Sequence, residues 1–552
     1  MVFDKPIGTS PGNQKFNERA RRDLTAQRGG NTTSMRMTRR TACKLIAGTL
    51  PALKLGATQH ELSPGLEIES GPFEGTRASL SKYEIPEWCR DAKLGIMAHW
   101  GPQSAIEDGD WYARNMYIQG SPQNVCHVET YGHPSKFGYK DTIPLWRAER
   151  FDPAYLVGLY KKAGAKFLVS MGVHHDNFDM WNSTYQPWNA AKMGPKKDIV
   201  GMWAQAAREA GLKFGVTEHL WITYKWFSVS HGHDETGPYS GVPYDGADPK
   251  YSSLYVDSDQ LWAKSFEWSE NGIPLWWKHH WYLRIRDLVD KYQPDFLHTD
   301  GALEFEEYGL SLVAHLHNLS AKKNGGKTEA VYTSKRIEDT EEGVAVLDVE
   351  RGIVNDIWPR PWVTDTCIGQ WHYMRGQVYK TPKTIIDMLV DIVSRNGRLL
   401  LNFPLPARGM LDLEELNVLS EITKWMSVNS QAIHGSRPWK IFGEGPATET
   451  VSESAAFNEK NRKDLTAADV RFTTKSDTLY AFVMGWPEFR TIIRPLATDT
   501  ALRVGKIQNV ELLGYDGKLD WSQDSSGLKV MMPAQKPCDY AIAFKVTGAM
   551  AG

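Results

Sequence analysis

Short apolar runs alternate with amphipathic helical patterns over most of this chain, from about residue 85 to residue 430. The candidate strands are Leu94–Ala98, Phe167–Met171, Phe214–Thr217, Phe296–Thr299, Ala330–Thr333, Val344–Val349 and Leu399–Asn402. The helical patterns between them include Pro153–Ala163, Val200–Ala210, Leu275–Lys291 and Thr384–Ser394. Such alternation is typical of parallel βα units, because each parallel strand needs a crossover segment before the next one. The pattern therefore predicts an α/β protein in which residues 70–438 form a (β/α)8-like TIM barrel.

The pattern changes after the helical stretch Leu413–Ile433. Short alternating runs follow at Val470–Thr474, Thr478–Met484, Val510–Leu513, Leu528–Met532 and Ala541–Val546. Alternating strands joined by short turns favour antiparallel pairing, so residues 439–552 are predicted to form a small C-terminal antiparallel β-sandwich. Two domains are also expected because a chain of 552 residues exceeds what one hydrophobic core usually supports.

Residues 1–60 are predicted to be a disordered leader followed by a twin-arginine-like signal segment. Residues 1–34 are polar and Gly-rich, which predicts disorder, and Met35 or Met37 is a plausible start. Arg39 and Arg40 then precede a short apolar run, as in a twin-arginine export signal. The run is too short to span a bilayer. We therefore expect an exported protein, periplasmic or extracellular, the alternative being a basic disordered tail.

Composition narrows the class of ligand. The chain has 64 Lys and Arg against 66 Asp and Glu, a balance that gives no electrostatic basis for binding nucleic acid or an anionic membrane. It also has 21 Trp and 22 Tyr, whose rings combine a flat apolar face with a polar edge. A neutral ligand with both kinds of surface, such as a sugar, fits this composition best. The five cysteines show no close spacing that would indicate a metal or redox motif.

Polar side chains gather where the candidate strands end, which on a barrel is the face that carries active sites. His99 and Trp100 follow the first strand, and His174, His175 and Asp176 follow the second. Asp300 and Glu350 end two later strands, in Leu-His-Thr-Asp-Gly and Val-Leu-Asp-Val-Glu-Arg. We expect these groups to lie around one pocket.

Together these segments resemble the α-L-fucosidases of glycoside hydrolase family 29. The resemblance is carried by Trp-Cys-Arg-Asp-Ala-Lys-Leu-Gly-Ile-Met-Ala-His-Trp-Gly at 88–101, Trp-Tyr-Ala-Arg-Asn-Met-Tyr at 111–117 and Asp-Ile-Val-Ser-Arg-Asn-Gly-Arg-Leu-Leu-Leu-Asn-Phe-Pro at 391–404. It extends from about residue 70 to the end and is weak after residue 440. It implies a retaining exo-α-L-fucosidase that removes terminal L-fucose from a fucosylated oligosaccharide or glycoconjugate and needs no cofactor.

Retention requires one carboxylate that attacks the anomeric carbon and a second that protonates the leaving oxygen. Asp300 matches the Asp-Gly strand end of the family and is the predicted nucleophile. Glu350 is the predicted acid/base, because it ends a later strand where relatives carry a Glu. The competitors for the acid/base role are Glu218, Glu304, Glu306 and Glu307, of which the last three are interpreted as a solvated helix start.

The resemblance and the strand-end positions also imply the sugar contacts. His99, His174 and His175 are expected to bind hydroxyls, Trp111 to stack on the apolar face of the sugar, and Asp110 to contact a hydroxyl through water. Arg336 is a further candidate, with Lys335 competing for its role. Trp226 and Trp371 are expected to line the side of the leaving group.

Other functions fit parts of the pattern. A His-His-Asp cluster occurs in barrel metallohydrolases, but adjacent side chains on a strand point to opposite sides, so His174 and His175 would chelate one ion only in an irregular loop. We therefore predict no metal. A related α-L-galactosidase or deoxyhexosidase remains an alternative, as does an inactive glycan-binding protein on the same scaffold, although both carboxylates are present.

Overall fold

A closed, parallel barrel of eight strands forms the larger part of the computed structural model, which describes residues 66–256, 264–448 and 456–550. The strands are β1 (Leu94–Ala98), β2 (Phe167–Val173), β3 (Lys213–Glu218), β4 (Phe296–Thr299), β5 (Val331–Ser334), β6 (Val346–Asp348), β7 (Trp362–Cys367) and β8 (Gly397–Asn402). They follow one another around the barrel in chain order, and β8 closes it against β1. The predicted barrel is confirmed, but sequence analysis missed β7.

Helices cover the outside of the barrel. Those of ten residues or more are Pro122–Tyr131, Pro153–Lys162, Ile199–Glu209, Leu275–Tyr292, Glu307–Lys323, Pro382–Ser394 and Leu413–Ile433. Shorter helices are Arg77–Leu80, Glu87–Asp91, Tyr112–Asn115, Tyr139–Thr142, Thr223–Trp226, Ser252–Tyr255 and Ile337–Glu341. Several long helices begin where sequence would place them: Ser121, Asp152, Asp198, Thr381 and Asp412 each cap a helix with a side-chain oxygen.

The inside of the barrel is built in layers, because inward-facing side chains recur every second residue of a strand. The lower layer is apolar and contains Met97, Phe167, Val169, Phe296, Val331, Val346, Val363 and Leu400. Gly95 leaves room for one of these rings, since a Cβ there would lie 2.3 Å from Phe167. Two residues further along every strand except β2 comes a buried polar layer of His99, Thr217, His298, Thr333, Asp348, Asp365 and Asn402.

The C-terminal part is a sandwich of two antiparallel sheets, as predicted. One has the order β13-β16-β11-β10-β9 and the other β12-β15-β14. Their bounds are β9 Arg437–Glu444, β10 Val470–Lys475, β11 Thr478–Val483, β12 Arg490–Ile493, β13 Asn509–Leu512, β14 Trp521–Asp524, β15 Gly527–Met531 and β16 Ile542–Thr547. A separate apolar core that includes Phe472, Val530 and Phe544 lies between the sheets. Strands β9, β12 and β14 were not predicted.

A buried charge cluster joins the sandwich to the barrel. Asp391, on helix Pro382–Ser394, contacts Arg395, Arg462 and Arg471, the last of which lies on β10. Burial raises the pKa of Asp391, but the three guanidinium groups outweigh it and hold that pKa well below its usual range. The carboxylate of Asp391 is therefore ionised in the folded protein at neutral pH.

Three features of the sequence remain: the leader, the cysteines and any membrane-spanning segment. The leader and its twin-arginine-like segment lie outside the described residues. Cys89, Cys126, Cys367 and Cys538 are free thiols. Within the described ranges, no helix combines the length and the apolar character needed to cross a membrane.

Candidate active site

The candidate active site lies directly above the polar layer, at the carboxyl ends of the strands. One more step of two residues leads from Thr217 to His219, from His298 to Asp300, from Thr333 to Lys335 and from Asp348 to Glu350. Contacts among His219, Asp300, Lys335 and Glu350 show that all four side chains point into the same space. These four side chains therefore form the next inward-facing layer of the barrel.

Three basic side chains surround the carboxylate of Asp300. Its Oδ1 lies 3.0 Å from Lys335 Nζ, and its Oδ2 lies 3.0 Å from His219 Nδ1 and 3.5 Å from His175 Nε2. Burial raises its pKa, but Lys335, His219 and His175 outweigh burial and hold the pKa well below the usual range. Asp300 is therefore ionised, as a nucleophile must be.

Glu350 contacts the same lysine, but its pKa is shifted in the opposite direction to that of Asp300. Its Oε2 lies 2.8 Å from Lys335 Nζ, and its side chain is 15% exposed. Burial raises the pKa of Glu350, and the charge of Asp300 raises it further, while Lys335 opposes both and does not cancel them. A raised pKa keeps the carboxyl protonated up to a higher pH, which is what a general acid needs.

The shared lysine fixes an upper limit on the distance between the two carboxyl groups. Asp300 Oδ1 is 3.0 Å and Glu350 Oε2 is 2.8 Å from Lys335 Nζ, so these oxygens are separated by no more than the sum of the two distances, 5.8 Å. Paired carboxyl groups of retaining glycosidases are about 5 to 5.5 Å apart, whereas those of inverting enzymes are about 6.5 to 9.5 Å apart. The spacing is compatible with direct attack by one of the pair.

Two further acids, from the polar layer beneath the site, contact Lys335. Asp348 and Asp365 lie 3.3 Å and 3.9 Å from its ammonium nitrogen, and His298 lies 3.1 Å from Asp348. Burial raises the pKa of Asp348, but Lys335 and His298 bring it down to about 2. Burial and the charge of Asp348 raise the pKa of Asp365 well above its usual value. Asp365 is therefore protonated and Asp348 ionised.

The predicted hydroxyl-binding histidines lie close together beside His219 and Asp300. The His99 and His174 rings are 5.7 Å apart, and those of His174 and His175 are 4.5 Å apart. Burial lowers the pKa of His99 and of His174 well below the usual value, so both rings are neutral. Gln103 donates to His174 Nδ1 at 2.9 Å, which leaves the hydrogen of the neutral ring on Nε2.

The placement of the adjacent histidines corrects one premise of the sequence argument. β2 ends at Val173 after an irregularity between Met171 and Val173, so His174 and His175 lie beyond the strand and are not forced to opposite faces. Both rings instead lie beside His219. Asp176 is buried, and its carboxylate accepts a hydrogen bond from Tyr139.

Aromatic rings surround the histidines. Trp111 has a left-handed backbone conformation, with φ of 61°, and its ring contacts those of His175, Trp226 and Trp268. Trp226 is fully buried and stacks on Phe227, so it supports the wall of the pocket. Trp371 lies 4.9 Å from His99. The half-exposed Trp268 was not singled out from the sequence.

The predicted polar residues Asp110 and Arg336 have different partners. Asp110 accepts a hydrogen bond from His372 at 2.6 Å, and His372, which had not been predicted, in turn lies beside His174. Arg336 donates to Asp339, whereas the competing residue Lys335 contacts both Asp300 and Glu350. The structure thus brings Lys335 rather than Arg336 to the carboxylates. The period of two along β3 and β5 is the signal that identifies His219 and Lys335.

One sequence interpretation is wrong. Glu304 was assigned to a solvated helix start, but it is 1% exposed and shares the Thr299 hydroxyl with Glu218, at 2.8 Å and 2.9 Å. A hydroxyl has one hydrogen, so one of the two acids is protonated and donates to it. Burial raises the pKa of both, and the charge of Glu218 raises that of Glu304 further. Glu306 and Glu307 are exposed, as expected.

Four groups of three side chains lie close enough to hold a metal ion in the described part of the chain. They are His99, His174 and His219; Asp110, His174 and His372; His175, His219 and Asp300; and His298, Asp348 and Asp365. Lys335 already places a cation against Asp300, Asp348 and Asp365. Its ammonium group thus supplies the positive charge that the acids need. The expectation that no metal is required stays a prediction.

An eight-stranded parallel barrel that carries an Asp with a lowered pKa and a Glu with a raised pKa beside aromatic side chains has the form of a barrel glycosidase. Residues 62–431 match the family described as alpha-L-fucosidase, and residues 462–547 match the alpha-L-fucosidase C-terminal domain. The chain belongs to the alpha-L-fucosidase family and is a glycoside hydrolase.

Individual relatives span nearly the same length. The chain is 26% identical to the tissue alpha-L-fucosidase of Bos taurus over 490 residues, which cover 85% of this chain and 90% of that one. It is 26% identical to the plasma alpha-L-fucosidase of Homo sapiens over 493 residues, with 86% and 92% covered. Its fold is similar to that of a Thermotoga maritima alpha-fucosidase solved in complex with fucose, with a TM-score of 0.64, 23% identity and 86% and 100% of the two chains covered.

Proposed function

We propose that the protein is a retaining exo-α-L-fucosidase that hydrolyses terminal α-L-fucose by double displacement through a covalent fucosyl-aspartate. The carrying observation is the upper limit of 5.8 Å between Asp300 Oδ1 and Glu350 Oε2, which follows from their distances of 3.0 Å and 2.8 Å to Lys335 Nζ. That limit lies below the separation of about 6.5 to 9.5 Å typical of inverting enzymes, which supports direct attack by Asp300. The side chains of Asp300 and Glu350 are only 18% and 15% exposed, which favours access by a chain end and hence exo action.

In the first step Asp300 attacks the anomeric carbon. The bond from that carbon to the leaving oxygen breaks, and the proton of Glu350 passes to the oxygen as the leaving group departs. The product is a neutral ester between the sugar and Asp300, with Glu350 now a carboxylate. Asp300 begins this step ionised because Lys335 and His219 lie against it.

In the second step the roles of the carboxyl groups change. The charge of Asp300 raises the pKa of Glu350 in the free enzyme, and esterification removes that charge. Lys335 remains 2.8 Å from Glu350 and then lowers its pKa with less opposition. Glu350 can therefore take a proton from the water that attacks the ester, after which free fucose leaves and both groups return to their starting states.

The remaining side chains of the pocket bind the sugar. Neutral His99 and His174, with His175, present ring nitrogens to hydroxyls, and Trp111 offers an aromatic face beside Asp110. Trp371 and the buried Trp226 support the pocket wall. The substrate on this reading is a fucosylated oligosaccharide or glycoconjugate, and the reaction needs no cofactor.

A mechanism-based label tests the proposal most directly. A 2-deoxy-2-fluoro-α-L-fucosyl fluoride should inactivate the enzyme, and peptide mapping should find the label on Asp300. Proton NMR of an aryl α-L-fucoside digest should show α-L-fucose as the first-formed product. A label elsewhere, or β-L-fucose as the first product, would contradict the proposal. Faster turnover of the matching α-L-galactoside would favour that alternative substrate.

We also propose export, on the strength of Arg39 and Arg40 before a short apolar run. In a host with a twin-arginine pathway, replacing both residues by Lys should retain the enzyme in the cytoplasm. Equal export of the parent and the double variant would reject the proposal.

A further inference from the structure

The segment of residues 456–461, here called the return segment, belongs to the connection between β9 and β10 of the C-terminal sandwich but contacts the barrel. It lies against residues 349–354, here called the acid/base loop, which follow β6 and contain Glu350. We propose that the return segment is a positioning element that fixes Glu350 for proton transfer to the leaving group. This inference rests on the proposed function.

Backbone hydrogen bonds hold both edges of the acid/base loop. On one side, Val349 N–H donates to Val363 and Arg351 N–H donates to Asp365, both on β7. On the other side, the N–H of Phe457 donates to the carbonyl of Glu350 at 2.9 Å. The acid/base loop therefore lies between a barrel strand and a segment of the C-terminal domain.

The side chains of the return segment strengthen this contact. Asn458 is 3% exposed and makes two hydrogen bonds with the backbone of Ile353: its Oδ1 accepts from the N–H and its Nδ2 donates to the carbonyl, both at 3.0 Å. The N–H of Glu459 donates to the carbonyl of Arg351 at 2.9 Å. The carbonyl of Glu350 and the backbone of Arg351 and Ile353, which follow it, are thus held by groups from outside the barrel.

An ion pair completes the attachment. Glu459 Oε1 lies 2.7 Å from the Arg351 guanidinium and 3.2 Å from Lys380 Nζ, and Oε2 accepts from Thr366 at 2.7 Å. Burial raises the pKa of Glu459, but Lys380 and Arg351 outweigh it, so the carboxylate stays charged. Arg351 itself has a φ of 46°, a left-handed conformation that non-glycine residues seldom adopt and that surrounding contacts must maintain.

The expected consequence is selective. A general acid matters most when the leaving group is basic, so a small displacement of Glu350 should slow poor leaving groups and spare activated ones. A displacement that merely loosened the fold would instead slow every substrate. Leaving-group dependence therefore separates positioning from a purely structural role.

The test compares kcat/KM for phenyl and 2,4-dinitrophenyl α-L-fucosides in four full-length variants. Glu350→Gln is the reference for loss of the acid, Asn458→Ala and Glu459→Gln perturb the return segment, and Glu511→Gln is the control. Glu511 forms an exposed ion pair with Lys545 in the same domain. We expect Asn458→Ala and Glu459→Gln to lower kcat/KM for the phenyl substrate by roughly 10- to 100-fold, as for a misplaced catalytic group, and for the dinitrophenyl substrate by less than about 3-fold.

Each outcome is decisive. Suppose that Glu350→Gln shows strong leaving-group dependence. Equal losses of kcat/KM on both substrates in the return-segment variants, or no loss on either substrate, would then overturn the positioning role. If Glu350→Gln itself shows none, the acid assignment fails instead. Thermal unfolding of each variant accompanies the kinetics. Glu459→Gln retains the shape of the side chain, so it gives the answer should Asn458→Ala fail to fold.

Discussion

Lys335 and Asp391 are the centres of two buried charge clusters of opposite composition. Lys335 is a single cation in contact with Asp300, Asp348, Glu350 and Asp365, whereas Asp391 is a single carboxylate in contact with Arg395, Arg462 and Arg471. Surplus carboxyl groups can take up protons at accessible pH, but surplus guanidinium groups cannot lose theirs. The first cluster can therefore change its protonation state during a reaction, and the second can only hold two domains together.

The largest effect is expected at the nucleophile. Asp300→Gly should reduce kcat by roughly 10⁵-fold, on the scale of other nucleophile deletions, because it removes the carboxylate proposed to bond to the sugar. Azide should restore turnover of an activated aryl fucoside and yield β-L-fucosyl azide, which NMR identifies. Substantial residual activity without azide would mean that another group is the nucleophile.

Removal of the single carboxylate from the second cluster should affect stability and leave catalysis nearly unchanged. Asp391→Asn leaves three buried guanidinium groups without a counter-charge and should lower the free energy of unfolding by about 3 to 5 kcal/mol, measured by denaturant unfolding. The pKa of Asp391 is depressed in the folded state, so its contribution is present above the unfolded pKa of about 3.9 and is lost as pH falls towards the folded pKa. A difference from the parent that disappears between pH 5 and 8 would contradict this account.

Removal of the single cation from the first cluster should shift the pH dependence. Lys335 lowers the pKa of both Asp300 and Glu350, so Lys335→Met should raise both. The acid and alkaline limbs of kcat/KM should each move upwards by about 1 to 3 pH units, the usual effect of a close opposite charge. Lys335→Arg serves as a control that keeps the charge. Limbs that stay in place, or move apart, would show that Lys335 does not set these protonation states.

The smallest effect is expected at the acid that is already protonated. Because Asp365 is neutral in the folded protein, Asp365→Asn replaces one neutral group by another and should change the unfolding free energy by less than about 1 kcal/mol. The matched change Asp348→Asn removes a charge that pairs with Lys335 and should cost more. Equal costs for the two variants would mean that the assignment of protons between Asp348 and Asp365 is wrong.

Much of the barrel was predictable because most strands are apolar on both faces. β7 was missed for the opposite reason: Thr364, Asp365 and Thr366 interrupt its apolar pattern, and Asp365 belongs to the polar layer inside the barrel. The edge strands β9, β12 and β14 lack long apolar runs, since exposed or half-buried side chains make up at least half of each one.

The site shows the same division. Asp300 and Glu350 stood out because a single acid at a strand end is easily recognised. His219 and Lys335 required the barrel register, because only the period of two from Thr217 and Thr333 shows that they face inward. The burial of Glu304 and the path of residues 456–461 depend on contacts between distant parts of the chain, which local patterns do not contain.

The apolar floor of the barrel makes the site open at one end only. Phe167, Phe296 and their neighbours seal the interior beneath the charged groups, so water reaches Asp300, Lys335 and Glu350 only through the mouth. A sugar bound at the mouth would exclude water and lower the local dielectric constant around all three side chains. The electrostatic attractions among them would then strengthen without any residue having to move.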